Sequence, residues 1–82
     1  MSLETEQILL ESKINSQRKE RTLKSIEADM SILSIRSESS PLLSVEEINI
    51  DKIEVAVAAL RRCIEEISRI DNEIARLEKI RG

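Results

Sequence analysis

The sequence predicts an all-α fold: a two-helix antiparallel hairpin, coiled-coil-like, that associates into a four-helix or larger helical bundle. Three observations lead there. The 82 residues are 40% hydrophobic and 35% charged, with one Gly and one Pro, a balance typical of long amphipathic helices. Apolar side chains recur at alternating steps of three and four on both sides of residue 40, as they do along helical packing seams. A single serine-rich stretch holding Pro41 interrupts that pattern. At this length the chain makes one domain, residues 1–82.

The first helix is expected over about residues 3–36. Leu3, Leu10 and Ile14 line its start, and Leu23, Ile26, Met30 and Leu33 form a regular seam near its end. Between them NSQRKERT, residues 15–22, offers no apolar side chain. At about 100° per residue, the nine steps from Ile14 to Leu23 put these two on opposite faces. Supercoiling corrects only about 20° per heptad. Either the helix is distorted there or its two ends address different surfaces.

The turn is expected near residues 37–43. Six of the fourteen residues from Ser31 to Ser44 are serine; serine competes for backbone hydrogen bonds, and Pro41 biases Ser40 away from helix. The second helix is expected over about residues 45–81. Ser44 and Glu47 form the S-x-x-E capping box, and Leu43 with Ile48 supplies the matching hydrophobic staple. A start at Ser40 with Pro41 as first helical residue is the competing reading. Glu46 and Glu47 suit the first turn, as Lys79 and Arg81 suit the last.

The second helix carries two overlapping seams. One runs Ile50, Ile53, Val57, Leu60, Ile64, Ile67; the other Ile53, Ala56, Leu60, Cys63, Ile67, Ile70, Ile74, Leu77. Together they make a stripe three heptad positions wide, which calls for more than one neighbouring helix. A lone hairpin buries one seam, and cores of chains this small rarely supply more than a few kcal/mol net. The remaining apolar strip is then an interaction surface. The expected interaction face comprises Leu23, Ile26, Met30 and Leu33 with Ile53, Val57, Leu60, Ile64, Ile67, Ile70, Ile74 and Leu77. The partner is a second copy, with a dimer favoured, or another helical protein.

Whole function classes drop out. The chain has no His and a single cysteine, Cys63, so no ordinary zinc or haem site assembles within it. Gly82 is the sole glycine, which removes phosphate-cradling loops and dinucleotide fingerprints. Without Phe, Tyr or Trp there is no platform for stacked bases. No catalytic residue, cofactor or small-molecule substrate is expected. The start MSLETEQ carries acids where a signal peptide has bases, and the longest uncharged apolar run, VAVAAL at residues 55–60, is far short of the roughly 20 residues a membrane span needs. With a lone cysteine fitting a reducing compartment, a soluble cytoplasmic protein is expected.

Three further features have a sharper and a plainer reading. Lys13, Arg18, Lys19, Arg21 and Lys24 face one acid, Glu20, in the first helix. With a turn near residue 40, positions 18–21 would lie beside 59–62. Arg18, Lys19, Arg21, Arg61 and Arg62 would then form one band able to contact phosphates or another anion. The plainer reading is a solvated face balanced by Glu20, Glu65 and Glu66, which the net charge of −3 favours. The seven acids and two bases from Glu27 to Glu54 serve solubility, or set register against the basic band of a second chain. Cys63 reads as a small hydrophobe in the stripe, with a symmetric intermolecular disulfide as its alternative. The function expected is a non-catalytic protein–protein interaction module of structural, adaptor or small-chaperone type; the alternative is a nucleic-acid-binding dimeric hairpin.

Overall fold

A computed structural model describes residues 3–40 and 43–82. The described residues form helix α1 (Leu3–Glu38), a short 3₁₀ turn (Val45–Glu47) and helix α2 (Ile50–Arg81). The two helices pack side by side into a rod of 65 × 15 × 14 Å. Pro41, and with it the competing start at the first helical position, lies outside the described residues.

Helix α1 is one continuous α-helix through the polar block at residues 15–22. Its two ends therefore address different surfaces, the second of the two readings above. Ile14 is fully buried against α2, while Leu23 is 62% exposed. The helix ends at Ser39, whose N–H and hydroxyl both donate to the Ile35 carbonyl, at 3.0 and 2.6 Å. That doubled bond satisfies a carbonyl otherwise orphaned at a helix C-terminus.

The start of the second helix is shifted relative to the sequence reading. The Glu47 carboxylate does reach back to Ser44, accepting from its N–H at 3.3 Å and its hydroxyl at 2.8 Å. Those bonds hold the Glu47 carboxyl below the usual carboxylate range. The turn they close stops after three residues, because Ile48 and Asn49 return to extended backbone. Asn49 is the actual N-cap of α2: its side-chain oxygen accepts from the Lys52 N–H at 3.1 Å, and Asn ranks among the strongest N-cap residues. Helix α2 thus begins at Ile50 instead of residue 45. Gly82, at φ +88°, caps the other end by donating its N–H to the Glu78 carbonyl, the left-handed geometry that glycine tolerates best.

The later start moves the register of the arms. Residue 24 lies across from 66 and residue 38 across from 52, so the hairpin is antiparallel and folds about residue 45 instead of 40. On the α2 side the seam between the arms is the second of the two sequence seams. Ala56, Cys63, Ile70 and Leu77 are buried, and Ile53, Leu60, Ile67 and Ile74 are half-buried. On the α1 side the buried residues are Ile14 and Ala28, with Leu10 and Ile35 half-buried. The regular seam of α1 turns away from α2. Ile26 sits two residues, about 200°, from buried Ala28 and is 51% exposed.

Candidate functional site

The rod has two unlike halves. At the open end the arms are held by large buried side chains, Ile14, Ile70 and Leu77, and by charges reaching across the seam. Arg81 bonds Glu11 and Arg18 bonds Glu78, each at 2.8 Å, and Arg21 bonds Asp71. Further along, Lys24 reaches Glu66 at 2.9 Å and Glu27 at 3.4 Å. The hydrogen bonds that Lys24 donates, to Glu66 first and then to Glu27, raise its pKa, and the same bond lowers that of Glu66. The polar block that interrupts the apolar pattern of α1 is thus part of the clasp between the arms.

Towards the turn the seam is thin. Ala28, Ala56 and Cys63 are its buried residues there. An open groove of about 490 Å³ remains where Ser31, Ser34, Ala56 and Ala59 are too small to fill the space between the arms. Large aliphatic side chains stand outside instead, most of them on two surfaces. The first is a ridge on the back of α1: Leu23, Ile26, Met30 and Leu33, 51–65% exposed. The second is a stripe along one flank of α2. Glu78, Asp71, Ile64, Val57 and Ile50 follow one another at steps of seven, so they share one line of the helix. At the open end that line is ion-paired to α1; from Ile64 onward it is bare aliphatic surface, with Ile64 57%, Val57 38% and Ile50 58% exposed. Ile32 of α1, 40% exposed, continues the line of Arg18 at two steps of seven and so stands on the same flank.

Of the residues expected to form the interaction face, Leu23, Ile26, Met30, Leu33, Val57 and Ile64 are outward-facing. Ile53, Leu60, Ile67 and Ile74 are half-buried, shared between the hairpin's own seam and the stripe beside it. Ile70 and Leu77, at 1% and 3% exposure, lie wholly within the hairpin and hold its arms together. Ile32 is the flank residue that sequence reading missed. Its membership depends on the arm register, which no local pattern carries.

The five arginines and lysines of the expected basic band are not brought together. Arg18 and Arg21 are paired with Glu78 and Asp71. The later fold-back places Arg61 and Arg62 across from residues near 29, about 15 Å further along the rod at 1.5 Å per residue. Arg62 borders a small groove with Lys24, Glu27, Cys63 and Glu66, where acids offset the bases.

Cys63 is buried in the seam, with its sulfur 3.7 Å from the Glu27 carboxylate. Burial first and then the Glu27 charge push its pKa up, so the thiol stays protonated and unreactive. Facing its own chain's α1, it is placed as the small hydrophobe of the plainer reading. Among the described residues no cluster of His, Cys, Asp or Glu has the makings of a metal site, and no helix is long and apolar enough to cross a membrane.

These features define a class: a slender antiparallel helical hairpin, clasped at its open end and incompletely covered near its turn. No protein-family model, curated protein or solved structure matches the chain.

Proposed function

We propose that this chain is a non-catalytic association module that completes its aliphatic surfaces by packing against another helical surface, in the first instance a second copy of itself. The observation that carries this reading is the exposed aliphatic surface of the turn-proximal half, a ridge on α1 and a stripe on α2. Monomeric proteins rarely leave contiguous apolar area of this extent open to water unless it binds something. The burial pattern supports it too: small side chains, Ala28, Ala56 and Cys63, fill the turn-proximal seam while Ile50 and Ile64 beside it face out. A module of this kind acts as a structural, adaptor or small-chaperone element.

Leu60 and Ile67 test the reading because each belongs to both seams of α2 and is half-buried in the hairpin. Replacing either by Glu abolishes assembly and most helicity together, as followed by sedimentation and circular dichroism. Loss of helicity with assembly intact, or the reverse, contradicts it.

A further inference from the structure

The stripe on α2 contains a socket, and the same helix carries the side chain that fits it. Val57, Leu60, Arg61 and Ile64 line a shallow groove of about 250 Å³, with Glu65 at its edge. Those first four residues stand at i, i+3, i+4 and i+7, the four-residue hole into which a coiled-coil partner inserts one knob. In this structure nothing fills it from the hairpin's own other arm, which packs on the adjoining face of α2.

Resting on the association reading above, we propose that the occupant is Val57 of a second copy, and that α2 packs antiparallel on its twofold mate about an axis near Ala58 and Ala59. In that register Val57 enters the hole of the partner while the partner's Val57 enters this one. The next knob obeys the same symmetry: Ile64 falls into the hole formed by Ile50, Ile53, Glu54 and Val57 of the mate. The contact is aliphatic throughout its centre, with Ile50 opposite Ile67, Ile53 opposite Ile64, and Val57 opposite Leu60.

Charge at the rim selects this arrangement. On the solvent side of the stripe the flanking residues are Glu54 and Arg61, both exposed. Neither forms an ion pair within the chain among the described residues. The antiparallel register sets Glu54 of each copy against Arg61 of the other, so one contact creates the pair twice. The α1 ridge lacks this property. Packed antiparallel on itself about residue 28 it sets Glu27 of each copy against Asp29 of the other; packed parallel it sets Lys19 against Lys19. Like charges placed opposite one another disfavour both pairings.

The area suits a reversible dimer. Ile50 and Ile64 expose on the order of 100 Å² each, and Val57 and Ile32 on the same flank about 60–75 Å² each. With the stems of Glu54 and Arg61 the two copies bury about 1,000 Å² in total, in the range of weak, transient interfaces. The product is a four-helix assembly whose two hairpins overlap at their turn-proximal halves and point their clasped ends in opposite directions.

Charge reversal at two exposed positions tests the register without touching the hairpin's core. By sedimentation equilibrium of the full chain, Glu54→Arg alone and Arg61→Glu alone each weaken dimerisation about tenfold or more, since each places like charges together at two sites. The double variant regains affinity to within about threefold of wild type. Val57→Glu, which aims a carboxylate into the apolar hole, abolishes the dimer, while Ile26→Glu on the ridge leaves it intact. Circular dichroism on the same samples should follow the mass in every variant, and a loss of helix in the charge-reversal singles that the double variant repairs also supports the register. A double variant no better than its single parents, or a dimer that survives Val57→Glu, overturns the proposal. In either case a wild-type chain that still self-associates leaves the broader association reading standing. A fully helical wild-type monomer at every concentration removes both.

Discussion

Ile70 and Ile64 lie six residues apart on one helix, and the structure assigns them opposite duties. Ile70 is 1% exposed in the seam between the arms; Ile64 is 57% exposed on the outer flank. Truncating Ile70 to Ala removes three buried carbons and leaves a void that a rod of two helices refills only in part, at a cost of about 3 kcal/mol. Chains of this size rarely hold more than a few kcal/mol in a single core, so that loss shifts the folding equilibrium more than about 100-fold. Truncating Ile64 costs the isolated hairpin within about 0.5 kcal/mol, as for other surface substitutions, but it empties part of the association surface. The assay is thermal unfolding by circular dichroism across a wide concentration range. The Ile70→Ala deficit should persist undiminished down to the lowest concentration that still gives a melt. The Ile64→Ala deficit should appear only where wild type associates, because association stabilises by mass action. Equal deficits at high dilution, or a harmless Ile70→Ala, would refute the division of labour between seam and stripe.

Other consequences are equally open to measurement. Asn49→Ala should lower stability by about 1 kcal/mol through loss of the α2 cap, and Ser44→Ala by less, since Ser44 only closes a three-residue turn; urea midpoints in the reverse order count against Asn49 as the helix start. The cross-arm pairs Arg18–Glu78 and Arg21–Asp71 are partly exposed, so each contributes a few tenths to about 1 kcal/mol and weakens with salt. The Arg18→Gln, Arg21→Gln double variant should show a flatter salt dependence of stability than wild type. Glu66 has its pKa lowered by Lys24, and Lys24 has its own raised by Glu66 and Glu27. The Glu66 contribution is therefore complete above the ordinary carboxylate range and fades as pH falls through the lowered value; that of Lys24 is complete below the ordinary lysine value and fades as pH rises through the raised one. Glu66→Gln should shrink the acid limb of the stability profile, and an unchanged limb contradicts the pairing. Cys63 should alkylate slowly in the folded chain and rapidly in urea, with equal rates contradicting its burial.

The hairpin was legible in the sequence because aliphatic spacing and a proline-bearing serine stretch are local signals, and they located both helices. What local signals missed follows from one competition. Ser44 and Glu47 form their bonds, yet Asn49 lies just before Ile50 and offers a second cap, and the longer helix starts there. The difference of five residues carries through to the register, which is why Arg61 and Arg62 sit apart from Arg18 and Arg21. The buried line of α1 was hidden for a different reason. Ile14, Ala28 and Ile35 share a heptad line that Arg21 interrupts, whereas Leu23, Ile26, Met30 and Leu33 look like a better seam because no charge falls among them. The cross-arm bond to Asp71 explains why an arginine is tolerated on the inner line, and that bond is visible only once the arms are paired. On α2 the wide stripe was readable as surplus. Which third of it faces out required knowing that Glu78 and Asp71, on the line of Ile64, Val57 and Ile50, clasp the other arm.

The central claim is that the turn-proximal half of this rod is finished by a second helical surface. Helicity and mass measured on the same samples through a dilution series test it most directly. The two should fall together as assemblies dissociate towards the 9.4 kDa chain. A 9.4 kDa species that keeps its full helicity and melts cooperatively at the lowest concentration would contradict it.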